Sequence, residues 1–338
     1  MEHTHHNTHT PPDHEAINFT SRLDVNPIYE SMARIKQELA SVIVGQQDMI
    51  DRLLVAILAN GHVLLEGVPG VAKTITAKLL AKTINLGFSR IQFTPDLMPS
   101  DILGTSVFDL KKSEFEFKKG PIFSNFILID EINRAPAKTQ AALFEVMEER
   151  QITIDGTTYA LDRPFLVLAT QNPIEQEGTY RLPEAQLDRF LFKITIDYPT
   201  LEEEIHILQR EHHLENKEKL QQIKQVLSAQ QMQQFQHLVK QILVTPALLE
   251  FIAKIVSHTR ENPFLYLGAS PRASIAILNA AKGYAALRNR DFVTPDDIKD
   301  AAIPVLQHRV MVAPEREMEG ITSTQIIKQI LETVEIPR

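Results

Sequence analysis

Short continuous apolar runs recur through the first two thirds of the chain, at Val63 to Leu65, Phe126 to Ile129, Phe165 to Ala169 and Phe190 to Ile196. Runs of that length are the pattern of strands buried on both faces of a parallel sheet, and Arg90 to Phe93 reads as one more strand. Between the runs the apolar spacing becomes helical. Ile28, Met32, Ile35 and Leu39 predict a helix over Pro27 to Val42, helical periodicity returns from Ile75 to Leu80, and Leu143, Val146 and Met147 form the inner face of a helix from Ala137 to Arg150. The glycine of IVGQ, residues 43 to 46, predicts a turn, with Gln46 opening a helix toward Leu58. Pro95 to Ile102 reads as a short helix or loop, and Pro183 to Asp188 as a short helix closed by Arg189. Strands alternating with helices mean a parallel sheet covered on both faces. Two stretches keep a period of two: Val107 to Leu110 with Glu114 to Phe117, and residues 151 to 161, where Asp155-Gly156 divides alternating runs. Both predict β-hairpins.

Past Tyr198-Pro199 the strand pattern stops, which places a domain boundary there. The remainder reads as helix, first from Glu202 to about Leu214. Thr245-Pro246 then opens a helix to His258, Ser270-Pro271 another to Leu287, and Thr294-Pro295 the next, each a cap residue followed by proline at the first helical position. Pro304 should break or kink the last of these. Leu220, Ile223, Leu227, Phe235, Leu238 and Ile242 keep helical spacing through the Gln-rich residues 221–241, which predicts a solvated helix face rather than a linker. Residues 1 to 16 hold five of the twelve histidines and no apolar period. A disordered tail is expected there, with metal capture by His3, His5, His6 and His9 as the alternative. No internal repeat is visible.

At 338 residues the chain is too long for one typical core, and two domains are expected. Cysteine is absent, which excludes disulfides, thiolate zinc sites and cysteine nucleophiles and suits a reducing compartment. The longest apolar run, Leu53 to Ala59, is far shorter than a membrane span, and the polar N-terminus does not read as a signal peptide, so a cytoplasmic location is expected. A formal charge of −8 disfavours an electrostatic nucleic-acid binder.

The chemistry is concentrated between the first buried run and the helix after it. Gly67, Val68, Pro69, Gly70, Val71, Ala72, Lys73 and Thr74 nearly match G-x-x-x-x-G-K-[ST] at a strand-to-helix junction. There a loop turns backbone N–H groups toward phosphates, Lys73 reaches the β and γ phosphates, and the Thr74 hydroxyl takes Mg²⁺. Ala72 stands where the pattern has its last glycine, so residue 72 should keep a conformation that suits a Cβ. An ordinary strand–turn–helix is the competing reading. Asp130 and Glu131 end a buried run, where ligands bind in open α/β sheets, although two acids there also serve as a helix N-cap. With the phosphate loop, Asp130 suits a Mg²⁺ holder and Glu131 the base that polarises the attacking water. Asn172 either orients that water or makes an Asx-turn before Pro173. Arg189 is a cation at the end of a short helix, which the helix dipole welcomes; Arg272 lies in a first helical turn, which the dipole opposes, so an anion is expected beside it.

Taken together, GVPGVAKT, ILIDEINRAP, TQNP at 170–173, LPEAQLDRF at 182–190 and GASPRA at 268–273 resemble the MoxR family of AAA+ ATPases, over residues 28 to 312. An alanine at position 72 is usual in that family. The resemblance implies an AAA+ P-loop NTPase core, a parallel sheet sandwiched by helices, followed by a small all-α lid. The divisions are a disordered His-rich tail at 1–25, a nucleotide-binding domain at 26–198 and the lid at 199–338. It also implies a Walker A lysine at Lys73, Walker B acids at Asp130 and Glu131, sensor 1 at Asn172, an arginine finger at Arg189 and sensor 2 at Arg272. Gln46 would lie near the adenine. The hairpin at 107–117 would be the helix-2 insert and that at 151–161 the pre-sensor-1 hairpin, both facing a ring pore.

The function implied is a Mg-ATP-dependent, ring-forming remodeller, commonly hexameric, that matures protein complexes, often metal-containing, with a partner carrying a von Willebrand factor A domain. A magnesium-chelatase motor subunit shares these core motifs and is the first alternative. A DNA motor of the MCM kind is opposed by the net acidity, and a monomeric P-loop small-molecule kinase would need no arginine from a neighbour. A nucleotide-gated interaction protein would have little use for Glu131.

Overall fold

The computed structural model describes residues 23–68, 70–172, 180, 182–212 and 223–337. Residues 1–22 of the proposed tail, Pro69 of the phosphate loop and the start of the Gln-rich stretch lie outside the described residues, whereas Leu23 and Val25, placed in the tail by the sequence, pack with the core around α1 because both are apolar.

Helices α1 (Asn26–Ala40) and α2 (Gln47–Leu58) precede strand β1 (His62–Gly67) and helix α3 (Lys73–Thr83). Then follow β2 (Phe88–Gln92), α4 (Pro99–Leu103), the hairpin β3 (Gly104–Asp109) and β4 (Glu114–Lys119), β5 (Phe126–Asp130) and α5 (Ala137–Glu149). A second hairpin, β6 (Gln151–Ile154) with β7 (Thr157–Ala160), leads to β8 (Leu166–Gln171), α6 (Glu184–Leu187) and β9 (Phe190–Ile196). The central sheet is parallel throughout, in the order β2-β5-β8-β1-β9.

Strand side chains alternate between the two faces. Val63, Leu65, Phe126, Leu128 and Leu168 meet α1, α2 and α3 on one side, whereas Leu64, Ile127, Ile129, Val167 and Ala169 meet Leu143, Phe144, Val146 and Met147 of α5 on the other. Two-sided burial is why the runs read as continuous. The Asp155-Gly156 turn has φ of 49° and 76°, the left-handed pair a two-residue hairpin turn requires. The two hairpins brace each other: Phe117 stacks on Tyr159 at 4.5 Å between centroids, and Ser106 Oγ donates to Asp155 Oδ2 at 2.5 Å. Beyond this brace Phe108, Leu110 and Phe115 are exposed.

After β9 come α7 (Leu201–His212), α8 (Ala229–Lys240), α9 (Pro246–Glu261), β10 (Leu265–Leu267), α10 (Pro271–Leu287), α11 (Pro295–Leu306), β11 (Met311–Val312), α12 (Pro314–Met318) and α13 (Ser323–Thr333). Two sequence expectations change here. The Gln-rich stretch becomes helix only from Ala229; Ile223 and Leu227 are buried in a non-helical segment whose Val226 and Leu227 N–H groups donate to Thr83 O at 2.7 and 3.1 Å. Pro304 does not end α11, which continues to Leu306, because burial of Pro304, Val305 and Leu306 in the lid core offsets the roughly 3 kcal/mol an internal proline costs. The lid and the sheet are tied by Arg309, which donates to Asp188 Oδ1 at 2.6 Å and to the carbonyls of Asp188 and Phe190 at 2.9 and 2.6 Å.

Two buried histidines make the fold sensitive to acid. His62 accepts from Val167 N–H at 2.9 Å through Nδ1, which leaves Nε2–H to donate to Met147 O at 3.1 Å. Burial, helped by the Arg150 charge, pushes its pKa down to about 3, and burial likewise holds His308 well below its usual value. The folded state keeps both neutral while the unfolded chain protonates them below about pH 6.5, so stability is full above that pH and falls beneath it, by about 1.4 kcal/mol per pH unit for each. Unfolding midpoints should therefore drop between pH 7 and pH 5. His62→Gln, whose amide keeps both hydrogen bonds, should flatten that drop; an unchanged slope would contradict the assignment.

Candidate active site

Parallel strands deliver their C-terminal ends to one edge, and the register aligns them: Glu66 with Gln171, Gln92 with Asp130, and Ile129 with Ala169. The loop after β1, the acids after β5 and Asn172 after β8 are therefore neighbours. Gly70, Ala72, Lys73, Thr74, Asp130 and Asn172 line one cavity of about 400 Å³, together with Glu131.

The loop is shaped by its backbone. Gly70 has φ of 90° with open space around it, and Gly67 is pressed against β9, where an added Cβ would lie 2.8 Å from Ile196 O. Val71 turns its side chain into the core and Val68 is half-buried. Ala72 departs from expectation: as N-cap of α3 it sits at φ 59° and ψ 15°, in the left-handed region. Its carbonyl accepts from both Thr76 N–H and Thr76 Oγ1, at 3.0 and 2.9 Å, which holds the turn in that shape. The methyl is tolerated at a cost, and Ala72→Gly should raise stability by about 0.5–1 kcal/mol, the left-handed penalty less glycine's greater unfolded-state entropy. Chemical denaturation would check this; a lower midpoint would contradict it.

Lys73 Nζ donates to Gly67 O at 2.6 Å. Burial pushes its ammonium below the usual lysine value, while the Asp130 and Glu131 carboxylates hold it up. Asp130 accepts from Arg90 Nε at 2.6 Å and from Thr170 Oγ1 at 3.2 Å. Glu131, at φ 57°, has its N–H on Thr170 Oγ1 at 3.1 Å, and its Oε2 accepts from Gln92 Nε2 at 2.8 Å and pairs with Arg134 Nε at 3.0 Å. Arg90, Gln92 and Thr170 were missed as site residues by sequence reasoning. The available signal was the alternation of Arg90 and Gln92 with Ile91 and Phe93, which puts two polar side chains on one face of the strand.

The arrangement fits a nucleotide and a hard cation. The cavity opens at a strand-to-helix turn with a lysine in it, and Thr74 and Asp130 offer hydroxyl and carboxylate oxygens. Magnesium is usually held by one or two protein oxygens plus phosphates and water, so two donors suffice.

The remaining site residues lie elsewhere. Gln46, N-cap of α2 at φ 59°, lines a separate cavity with Tyr198 and Glu203, and its Nε2 reaches Asp197 O at 3.5 Å. Neither Arg189 nor Arg272 lines the lysine cavity. Arg189 Nη1 donates to Glu148 Oε2 at 2.7 Å and to Phe144 O at 3.1 Å, and Arg272 Nη2 meets Glu148 Oε1 at 3.3 Å. Glu148 is thus the anion that Arg272 needs against its helix dipole.

The sequence matches the family described as ATPase family associated with various cellular activities (AAA) over residues 62–192, and the AAA lid domain over 257–330. It is 44% identical over 310 residues to Chaperone MoxR1 of Mycobacterium tuberculosis, covering 89% of this chain and 81% of that protein. It is 46% identical to the Bacillus subtilis protein YeaC, covering 93% and 96%. A crystal structure of a candidate ATPase from Cytophaga hutchinsonii superposes with a TM-score of 0.84 at 46% identity, over 93% of this chain and 96% of that one.

Proposed function

Because this chain belongs to the MoxR family of AAA+ ATPases, we propose that it is a Mg-ATP-dependent remodeller whose sites are completed between neighbouring copies. One observation carries the chemical half of the reading: Lys73, Thr74, Asp130, Glu131 and Asn172 converge on one cavity at the sheet edge. Lys73 exchanges its Gly67 carbonyl for phosphate oxygens, Asn172 orients the attacking water, and Glu131 accepts its proton. Thr74 and Asp130 would hold magnesium, which would supply charge neutralisation on the phosphates. Gln46 borders the adenine.

The assembly half is supported by Arg189 and Arg272, which gather on Glu148 away from the lysine cavity, as arginines serving a neighbour's nucleotide would. We assign residues 26–198 to the nucleotide-binding domain and 199–338 to the lid, in a hexameric cytoplasmic ring. The braced hairpins, with Phe108, Leu110 and Phe115 outward, face its pore and the protein client. A partner with a von Willebrand factor A domain delivers clients for maturation, including metal-containing complexes.

Lys73→Ala tests the phosphate reading. Calorimetry should show ATP affinity reduced by about 10- to 100-fold, since a charge-assisted phosphate contact is removed. Undiminished affinity would contradict it.

A further inference from the structure

We infer that Glu148 is a positioning residue that seats Arg189 and Arg272 as a pair for the neighbouring chain's nucleotide, an inference that rests on the shared-site reading above. Its two oxygens are divided between the two guanidiniums, Oε2 to Arg189 at 2.7 Å and Oε1 to Arg272 at 3.3 Å. One arginine comes from the strand layer and the other from the lid. Both placements run against local electrostatics: Glu148 lies in the last turn of α5, where a helix disfavours an anion, and Arg272 in the first turn of α10, where it disfavours a cation. A sequence that breaks two local preferences to bring three charges together points to a site rather than to helix stability.

The surroundings fix the same geometry. Ser270, the N-cap of α10, donates through Oγ to Asp188 Oδ2 at 3.2 Å, and the buried Arg309 holds the other oxygen of Asp188 at 2.6 Å. The backbones before Arg189 and before Arg272 are therefore tied together. What remains free to move is the pair of long side chains, whose like charges repel. Glu148 is the carboxylate that draws them to one place. Each guanidinium has five N–H donors, so one spent on Glu148 leaves others for phosphate oxygens. Arg272 is 57% exposed at its side chain.

Glu148→Gln puts an amide donor against a guanidinium and removes the charge that gathers the pair. Turnover per chain should fall roughly tenfold, the scale of losing a carboxylate that orients a functional group. Nucleotide affinity should hold in calorimetry, because Glu148 does not line the lysine cavity. The decisive readout is complementation with Glu131→Gln, which lacks the base but keeps its arginines. In a one-to-one mixture, sites with Glu131 from one chain and a seated pair from the other arise by chance, so the rate should recover to about a quarter of wild type. Recovery also shows that the Glu148→Gln chain is folded, and Glu149→Gln, one residue along, should leave the rate unchanged. Arg189→Ala mixed with Glu131→Gln separates the two levels of failure. If that mixture recovers and the Glu148→Gln mixture does not, or if Glu148→Gln alone stays within about twofold of wild type, the assignment of Glu148 is overturned while shared sites stand. An equal loss in Glu149→Gln overturns it as well. If the Arg189→Ala mixture does not recover either, the shared sites fall, and this inference with them.

Discussion

Glu131→Gln should reduce ATP turnover by about 10²- to 10⁴-fold, the range for removal of a positioned general base. It should leave ATP affinity within a factor of about two. The substitution is nearly isosteric, and Gln92 Nε2, 2.8 Å from Glu131 Oε2, keeps an oxygen to donate to. What is lost is the charged acceptor for the proton of water. The backbone of residue 131, at φ 57° with its N–H on Thr170 Oγ1, is set by the strand end rather than by the carboxylate, so the geometry of the cavity should persist. Single-turnover and steady-state rates with calorimetric binding would check this. Turnover within a few-fold of wild type would mean that another group activates water.

Arg189→Ala should cost on the order of 10³ in turnover, the effect of removing an arginine that stabilises transition-state charge on a transferring phosphoryl group. Affinity for ATP in the isolated chain should not change, because the guanidinium lies on Glu148 and Phe144 O, outside the lysine cavity. Arg189→Lys should recover little, since a point charge cannot both hold Glu148 and fork across phosphate oxygens. A variant that loses binding in step with turnover would contradict the assignment and place Arg189 at its own chain's nucleotide.

The sheet was legible because burial on both faces imposes continuous apolar runs, and the four runs became β1, β5, β8 and β9, while β2 at the sheet edge is only partly buried. Lys73, Thr74, Asp130, Glu131 and Asn172 were legible as a set because phosphate chemistry demands those residue types at strand ends, and their common cavity follows from the strand order. Other features depend on information that is not local. The left-handed conformation of Ala72 is fixed by the hydrogen bonds of Thr76 around its carbonyl, and a methyl group gives no sign of it. Arg90 and Gln92 become site residues only when β2 pairs with β5, which sets Arg90 opposite Leu128 and Gln92 opposite Asp130, within hydrogen-bond reach of the two acids. The spacing of Ile223 and Leu227 suits a helix and equally a segment pinned to Thr83, and tertiary contacts decided between them. Glu148 carries no local signal of its partners, which lie 41 and 124 positions away.

The most direct test is the ATPase rate per chain measured against protein concentration, with Mg-ATP saturating. Sites shared between chains predict a specific rate that climbs with concentration and levels off as assembly completes. A specific rate that stays flat down to dilutions where the protein is monomeric would mean that each chain hydrolyses ATP alone, and would contradict the shared-site account.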